Sequence, residues 1–422
     1  MAGKQLSIGL LGCGTVGRGL MELMDKNRAL IRDRSGVDLQ VSQILVRDLK
    51  KERPGVDNAL LTTRPEKVIE NGCDMVVELV GGLEPARSFI HRALTGRKHV
   101  VTANKALLAA DGFSLRRAAA LQNVRFGFEA SVCGGIPIVR ALRSGLVGNE
   151  IHSLSGILNG TCNYILTRMA DDGVEFTDAL REAQVKGFAE ADPTLDIDGH
   201  DAAQKLKILA ELAFNGRLET KDIAVEGIGT VTAEDVRFAR EIGCVIRQVA
   251  TAEVLDGALS LRVETVLLPH DHQLAAVRDE NNAVLVRGDA VGEMLFSGKG
   301  AGSLPSASAV LSDIVEIAKH NGGFSPPAER SIQTIKPDLS SRHYVRLQVE
   351  EPSAIGAITT ILERNGITVR RAGAIWAKTP QGQNHVKILT QACLQSVSEK
   401  TFTEISALDM VIGKGVVLRV AQ

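Results

Sequence analysis

The chain has 422 residues, of which 44% are hydrophobic and 23% charged, and its formal net charge is −1. That length suits about two or three domains, and so balanced a charge argues against a general nucleic-acid or anionic-membrane surface. No apolar run approaches the length of a membrane span, and residues 1–11 read as a strand rather than a signal peptide. The six cysteines (Cys13, Cys73, Cys133, Cys162, Cys244, Cys393) form no CxxC pair and read as reduced thiols of a cytoplasmic protein, not as a disulfide framework or zinc site. His270 and His272 have no further ligands near them and read as a turn. The class is α/β.

Leu6–Leu11 is a short apolar strand, followed at once by Gly12-Cys-Gly-Thr-Val-Gly17 and a helical stretch from Arg18 to Met24. This is GxGxxG in the context it needs, strand before and helix after. Gly12 permits the tight turn, Gly14 lets a pyrophosphate approach the backbone, and Gly17 lets the helix pack close to the sheet. Thr15 and Val16 complete the cofactor-facing set, where the helix start offers free N–H groups to phosphates. The next strand, Val41–Val46, ends in Arg47-Asp48. An acid at this place selects NAD and an arginine accommodates the 2′-phosphate of NADP, so both cofactors stay open. Lys50 and Lys51 add positive charge and tilt the reading to NADP through Arg47.

Met75–Val80 is a buried strand closed by Gly81-Gly82, and 98–105 is a strand leading into a turn. Functional groups of open α/β sheets collect at the carboxyl ends of strands, which makes Lys105 a candidate for the nicotinamide side of the site. Val124–Glu129 reads as the last strand of this domain. The small-residue stretch from Ala130 to Pro137 reads as a hinge. Cys133 has no basic partner beside it, so a nucleophilic role is the weaker reading; Glu129 and the following carbonyls could hold a monovalent cation.

Ile151–Leu158 is a strand, and Asn159-Gly-Thr-Cys-Asn163 precedes a helix from Tyr164 to Met169. Thr161 and Asn163 there serve either as helix caps or as substrate contacts. The acidic stretch around which the chain is organised follows. Glu190, Asp192, Asp196, Asp198 and Asp201 are followed by Lys205, and Ala202, Ala203, Leu206, Leu209, Leu212 and Ala213 recur at helical spacing after Gly199. Asp201 and Lys205, four apart, lie on one face of that helix. A single pair of this kind is usually a surface ion pair. Here Pro193 stiffens the loop, and Leu195 and Ile197 draw acids inward, which suits a site that grips an ammonium group and moves a proton nearby.

Runs at Val225–Ile228, Leu259–Leu268 and Ala283–Gly288 read as strands of a second sheet. A glycine-rich loop from Gly298 to Pro305 leads into a helix, Ala307–Lys319, which either returns to the nucleotide domain and meets the cofactor again or is a flexible crossover. Asn321–Ser341 reads as a linker. Beyond it come strand Tyr344–Val349, helix Ala354–Asn365, strands Thr368–Trp376 and His385–Thr390, helix Ser396–Leu408 and strand Val416–Val420. That βαββαβ order is ferredoxin-like and carries no catalytic constellation, so it reads as a binding or assembly unit.

With these motifs assembled, the sequence resembles homoserine dehydrogenases that carry a C-terminal ACT domain. The likeness runs through Gly12-x-Gly14-x-x-Gly17, Thr102-Ala-Asn-Lys105, Gly156–Asn163, Gly187–Pro193 and Asp196–Lys205. It implies a Rossmann-like NAD(P)-binding domain over 1–130 plus about 305–322, and an α+β catalytic and dimerisation domain over 131–304. A linker over 323–341 and an ACT domain over 342–422 complete the expected organisation. It implies reversible NADP- or NAD-dependent interconversion of L-homoserine and L-aspartate 4-semialdehyde, within threonine, methionine and isoleucine biosynthesis. Lys205 would handle the proton, Lys105 would lie close to cofactor and substrate, and Asp201 would orient Lys205. Glu190, Asp196 and Thr161, with Asp201, would bind substrate; Gly187 and Gly302 would touch the cofactor. Glu129, Val132, Gly134 and Ile136 match positions that bind a sodium ion, and a homodimer or higher homo-oligomer is expected. Ser353 stands where the ACT turn carries glycine, which leaves an L-threonine effector open. The competing readings are an acylating semialdehyde dehydrogenase using Cys133, another NAD(P)-dependent amino-acid dehydrogenase, and a non-catalytic amino-acid sensor.

Overall fold

The computed structural model describes residues 4–70, 72–320, 332–369, 375–378 and 384–421. The chain divides into two compact units, one of residues 1–160, 201–223 and 281–333, the other of 161–200, 224–280 and 334–422.

The first unit is built on six parallel strands: β1 (Lys4–Leu11), β2 (Val37–Leu45), β3 (Leu61–Thr62), β4 (Met75–Glu78), β5 (His99–Thr102) and β6 (Phe126–Gly127). Their order is β3-β2-β1-β4-β5-β6, the dinucleotide-binding order, which reverses direction between β1 and β4. A parallel sheet is covered on both faces, so its strands read as continuous apolar runs; all four residues of β4 are buried. The helix Ser303–Lys319 packs Ala307, Val310, Ile314 and Ile317 against Leu6, Ile8, Leu10 and Val41. It therefore returns to cover the nucleotide sheet and is no flexible crossover. In the same unit, Ile151–Ile157 and Gly292–Lys299 both pair antiparallel with Asn281–Gly288.

In the second unit, Cys244–Leu255 and Ala258–Pro269 form a long antiparallel hairpin through Asp256-Gly257, both at positive φ. Ala258–Pro269 runs parallel to Val411–Val420, which pairs with Ser340–Val349; next come Asn384–Leu389 and Ile375–Lys378. With the helices Ala354–Arg364 and Gln395–Ser406 this is the expected ferredoxin-like order. Asp235, fully buried, accepts hydrogen bonds from Tyr344 Oη at 2.7 Å and Arg346 Nε at 2.7 Å, which fixes that module to helix Ala233–Glu241.

Several elements differ from expectation. The first helix starts at Thr15, not Arg18, because Gly14 closes the strand-to-helix turn directly. The expected strand Val124–Glu129 shrinks to Phe126–Gly127, since Glu129 turns inward to begin a 3-10 turn. Val225–Ile228 shrinks to Ala224–Val225, the stretch that pairs with Arg262–Val263. Besides two-residue strands such as Leu61–Thr62, two long strands were missed. Cys244–Leu255 buries Arg247, Gln248 and Thr251, which hides its alternation, and Gly292–Lys299 is exposed on both faces. Of the expected linker, 323–331 lies outside the described residues, while Thr334–Ile335 pairs with Leu259–Ser260. Residues 370–374 of the strand expected at Thr368–Trp376 also lie outside them.

Candidate active site

At the carboxyl ends of β4 and β5 a hydrogen-bonded network prepares the start of helix Lys105–Leu121. Buried Glu78 accepts the backbone N–H groups of Val80 and Gly81 and the Thr102 hydroxyl, the last at 2.6 Å. Asn104 caps the helix by accepting Leu107 N–H at 3.1 Å and ties it back through Nδ2 to the Gly82 carbonyl at 2.6 Å. This leaves Lys105 at the first helical position, where its half-exposed ammonium hydrogen-bonds Asp201 Oδ1.

Asp201 and Lys205 lie on helix His200–Ala213, which is buried over most of its surface. Lys205 Nζ donates to Asp201 Oδ2 at 2.8 Å and to the Leu158 carbonyl at 2.7 Å. Asn159 Nδ2 adds a third donor to Asp201, at 2.8 Å from Oδ2. Asp201 is 4% exposed and Lys205 9%. Burial by itself pushes the Asp201 carboxyl up, but the two lysine charges and the hydrogen bonds they donate outweigh it and hold the group well below the usual carboxylate range. The carboxylate is thus a fixed anion between two ammonium groups.

The nucleotide end of this unit has the shape a dinucleotide needs. Gly12 sits at φ +96°, with the Leu79 carbonyl only 2.8 Å from where a Cβ would stand. A Cβ on Gly17 would meet the Gly12 carbonyl at 2.7 Å, whereas one on Gly14 would meet nothing within 4 Å, so the backbone there is open to close approach. Helix Thr15–Lys26 starts with no side-chain cap. The second helix start joins it: Gly302 precedes Ser303–Lys319, and Ser303 Oγ donates to the Thr15 carbonyl at 2.8 Å. Arg47 is exposed past the end of β2, while Asp48 turns its carboxylate back to accept Lys50 N–H at 2.8 Å.

Glu129 is buried and accepts Val139 N–H at 2.8 Å and Arg140 N–H at 2.9 Å, one on each carboxylate oxygen. Its carboxyl is raised, by burial first, against the lowering from those N–H bonds. Val132, Cys133 and Ile136 are buried beside it in sequence, and Gly134 lies at φ +45° with the Gly300 carbonyl 2.6 Å from a would-be Cβ. Cys133 is shut in, and burial pushes its thiol up to about 11, which is no setting for a nucleophile at neutral pH.

The remaining expected residues belong to the second unit. Thr161 Oγ1 donates to the Phe188 carbonyl at 2.7 Å, just before Glu190, whose side chain is exposed. Gly187 ends the preceding helix at φ +76°. Asp196 lies in the first turn of Thr194–Ile197, and its carbonyl accepts the Cys162 thiol at 3.1 Å. Asn163 donates to the Val277 and Asp279 carbonyls, a structural use. Sequence reasoning passed over Glu78, Asn159 and Asn282. Asn159 stood inside a quoted motif and could have been read; the others carried no local signal.

The family model for the homoserine dehydrogenase NAD binding domain matches residues 12–129, and the model for homoserine dehydrogenase matches 137–315. The homoserine dehydrogenase of Bacillus subtilis is 36% identical over 412 residues, covering 95% of this chain and 94% of its own. The crystal structure of a homoserine dehydrogenase from Thiobacillus denitrificans superposes with a TM-score of 0.91 at 40% identity, covering 100% of both chains. A hyperthermophilic archaeal homoserine dehydrogenase mutant in complex with NADPH covers 74% of this chain and 98% of its own, with a TM-score of 0.63 at 28% identity. With a dinucleotide fold below and a lysine-flanked carboxylate above its strand ends, the chain belongs to the homoserine dehydrogenase family of NAD(P)-dependent oxidoreductases.

Proposed function

We propose that this chain interconverts L-homoserine and L-aspartate 4-semialdehyde, with Lys205 as the group that takes and returns the proton at the reacting oxygen. The observation that carries this reading is the Asp201 carboxylate held between Lys205 and Lys105 beside the carboxyl ends of the nucleotide-binding strands. Oxidation of a primary alcohol to an aldehyde releases a hydride, which the nicotinamide accepts when bound, and one proton. Lys205 takes that proton in its neutral form and gives it back in the reverse direction. Asp201 orients Lys205, and Lys105 faces both cofactor and substrate.

Glu190, Asp196 and Thr161 bind the amino-acid end of the substrate, since two carboxylates suit an α-ammonium group. Gly12, Gly14, Thr15, Val16, Gly17 and Gly302 approach the diphosphate, and Gly187 is a further cofactor contact. Exposed Arg47, beside an Asp48 already engaged by its own turn, favours NADP over NAD. Sodium fits the chemistry of its expected site. Glu129 is a buried carboxylate whose pKa burial raises, and a hard cation held by it with backbone carbonyls of Val132, Gly134 and Ile136 would offset the cost of burying its charge. The ferredoxin-like module serves as an ACT domain in assembly as a homodimer, with L-threonine as candidate effector. The acylating alternative through Cys133 is disfavoured by its sealed, raised thiol.

Absorbance of the reduced nicotinamide, followed with L-homoserine and with NAD or NADP in parallel, tests the reading. Reduction that depends on L-homoserine is expected, faster with NADP. No reduction with either cofactor, at alkaline pH and with sodium present, would overturn it.

A further inference from the structure

Asn282, near the start of strand Asn281–Gly288, is 1% exposed. Its Nδ2 donates to the Leu158 carbonyl at 2.7 Å and lies 3.7 Å from Cys133 Sγ. The same carbonyl accepts Lys205 Nζ at 2.7 Å. A carbonyl only accepts, so the amide must turn its nitrogen toward Leu158. One backbone oxygen therefore receives two donors, one of them the lysine at the centre of the site. Among the described residues, no group donates to Asn282 Oδ1. A buried amide with one half unanswered is a poorer choice for stability than an apolar residue of the same size, so its presence calls for another reason. The backbone also closes over it: a Cβ on Gly300 would stand 2.0 Å from Asn282 Oδ1.

We propose that Asn282 is a positioning residue for Lys205, acting through the Leu158 carbonyl. The inference rests on the reading of Lys205 as the proton-transfer group. An ammonium has three N–H donors; bonds to Leu158 and Asp201 fix two of them and so set the direction of the third. Asn282 sets the direction of the Leu158 oxygen and, by occupying a lone pair, weakens it as an acceptor for the charged lysine. Without that donor the carbonyl is free to tilt and holds the ammonium form more strongly, so Lys205 yields its proton less readily.

The test is steady-state oxidation of L-homoserine across pH by Asn282→Leu and Asn282→Ser, each also made in a Lys205→Ala background, with circular dichroism to verify folding. Both single variants should lose about tenfold in kcat while KM for homoserine and Kd for NADPH stay within about threefold. The limb of the kcat/KM profile that reports the base should move up by about half a pH unit or more. In the Lys205→Ala background neither substitution should cost further turnover. An equal loss in both backgrounds, or an unchanged kcat and limb in a folded single variant, overturns the role of Asn282 alone. If Asn282→Leu does not fold, Asn282→Ser decides. Near-normal turnover in Lys205→Ala itself brings down the reading beneath and this inference with it.

Discussion

Helix His200–Ala213 carries the same charge arrangement twice. Asp201 sits between Lys205 and Lys105; towards the other end of the helix, Glu211 accepts Lys207 Nζ at 2.9 Å and Arg116 Nη2 at 3.0 Å. Asp201 and Glu211 are ten residues apart, about 80° around the axis, and both clusters reach helix Lys105–Leu121, the first at its start and the second further along it. Each is one carboxylate between two cations, and each contains an i,i+4 lysine–carboxylate pair. The difference lies in what the cations can do. The Glu211 cluster includes an arginine, which never gives up its proton, and its lysine is tied to the Ala109 carbonyl at 2.8 Å inside helix Lys105–Leu121. It clamps that helix to His200–Ala213. The Asp201 cluster has two lysines, and Lys105 is 43% exposed, so a substrate can reach it and a proton can leave. Spacing alone does not separate the clamp from the site; partner chemistry and access do.

The comparison can be broken at either end. Glu211→Ala would leave Lys207 and Arg116 facing each other without their anion, and should cost about 3–5 kcal/mol of stability by denaturant titration. Turnover per folded molecule should survive within a few fold, in contrast with the site cluster. Lys205→Ala should cut kcat by ~10² or more with cofactor affinity nearly unchanged, at a smaller cost in stability than Glu211→Ala because Lys105 and Asn159 still donate to Asp201. Lys205→Arg should not rescue it, because the replacement keeps charge but cannot act as a base.

A third effect concerns pH. Asp313 accepts Glu129 N–H at 2.8 Å, and burial pushes its carboxyl up to about 7, opposite in sign to Asp201. A carboxyl raised in the folded state binds its proton more tightly there than in the unfolded chain. Its cost is therefore absent below about pH 4 and grows as pH rises toward 7. Asp313→Asn, whose Oδ1 can still accept the Glu129 N–H, should gain a few kcal/mol above pH 7 and nothing at pH 4. A gain equal at both pH values would show that Asp313 is not raised. The depressed Asp201 carboxyl runs the other way: its stabilisation is full above about pH 4 and is lost only as pH falls through its folded value. The smallest effect is at the cofactor. Arg47→Ala should lower the kcat/KM preference for NADP over NAD by about tenfold, and an unchanged ratio would remove Arg47 from selectivity.

Much of this architecture could be read in the sequence, for reasons that differ by element. The strand-turn-helix at Gly12–Gly17 is legible because Gly12 and Gly17 answer local steric demands and Gly14 leaves the backbone open. The Asp201–Lys205 pair is legible because helical spacing sets which side chains share a face. The Asp201 partner on another helix, Lys105, lies 96 positions away; its place at a strand end marked it for the nicotinamide side of the site, but its pairing with Asp201 has no local signal. Asn282 is silent for the same reason: it meets Leu158 across a sheet, at a separation of 124 residues. The hairpin at Asp256-Gly257 is a different case, since an Asp-Gly pair is a strong turn signal. It was masked by the buried polar residues of the strand before it.

The account stands most directly on a single-turnover measurement of L-homoserine oxidation by wild type and Lys205→Ala, with NADP saturating, across pH. It predicts a rate in the wild type that rises with pH to a plateau. In the variant the rate should be ~10² or more lower and should lack that rise. Equal rates with the same pH dependence would show that the proton leaves by another group and that the Asp201 cluster, like its counterpart at Glu211, only holds helices together.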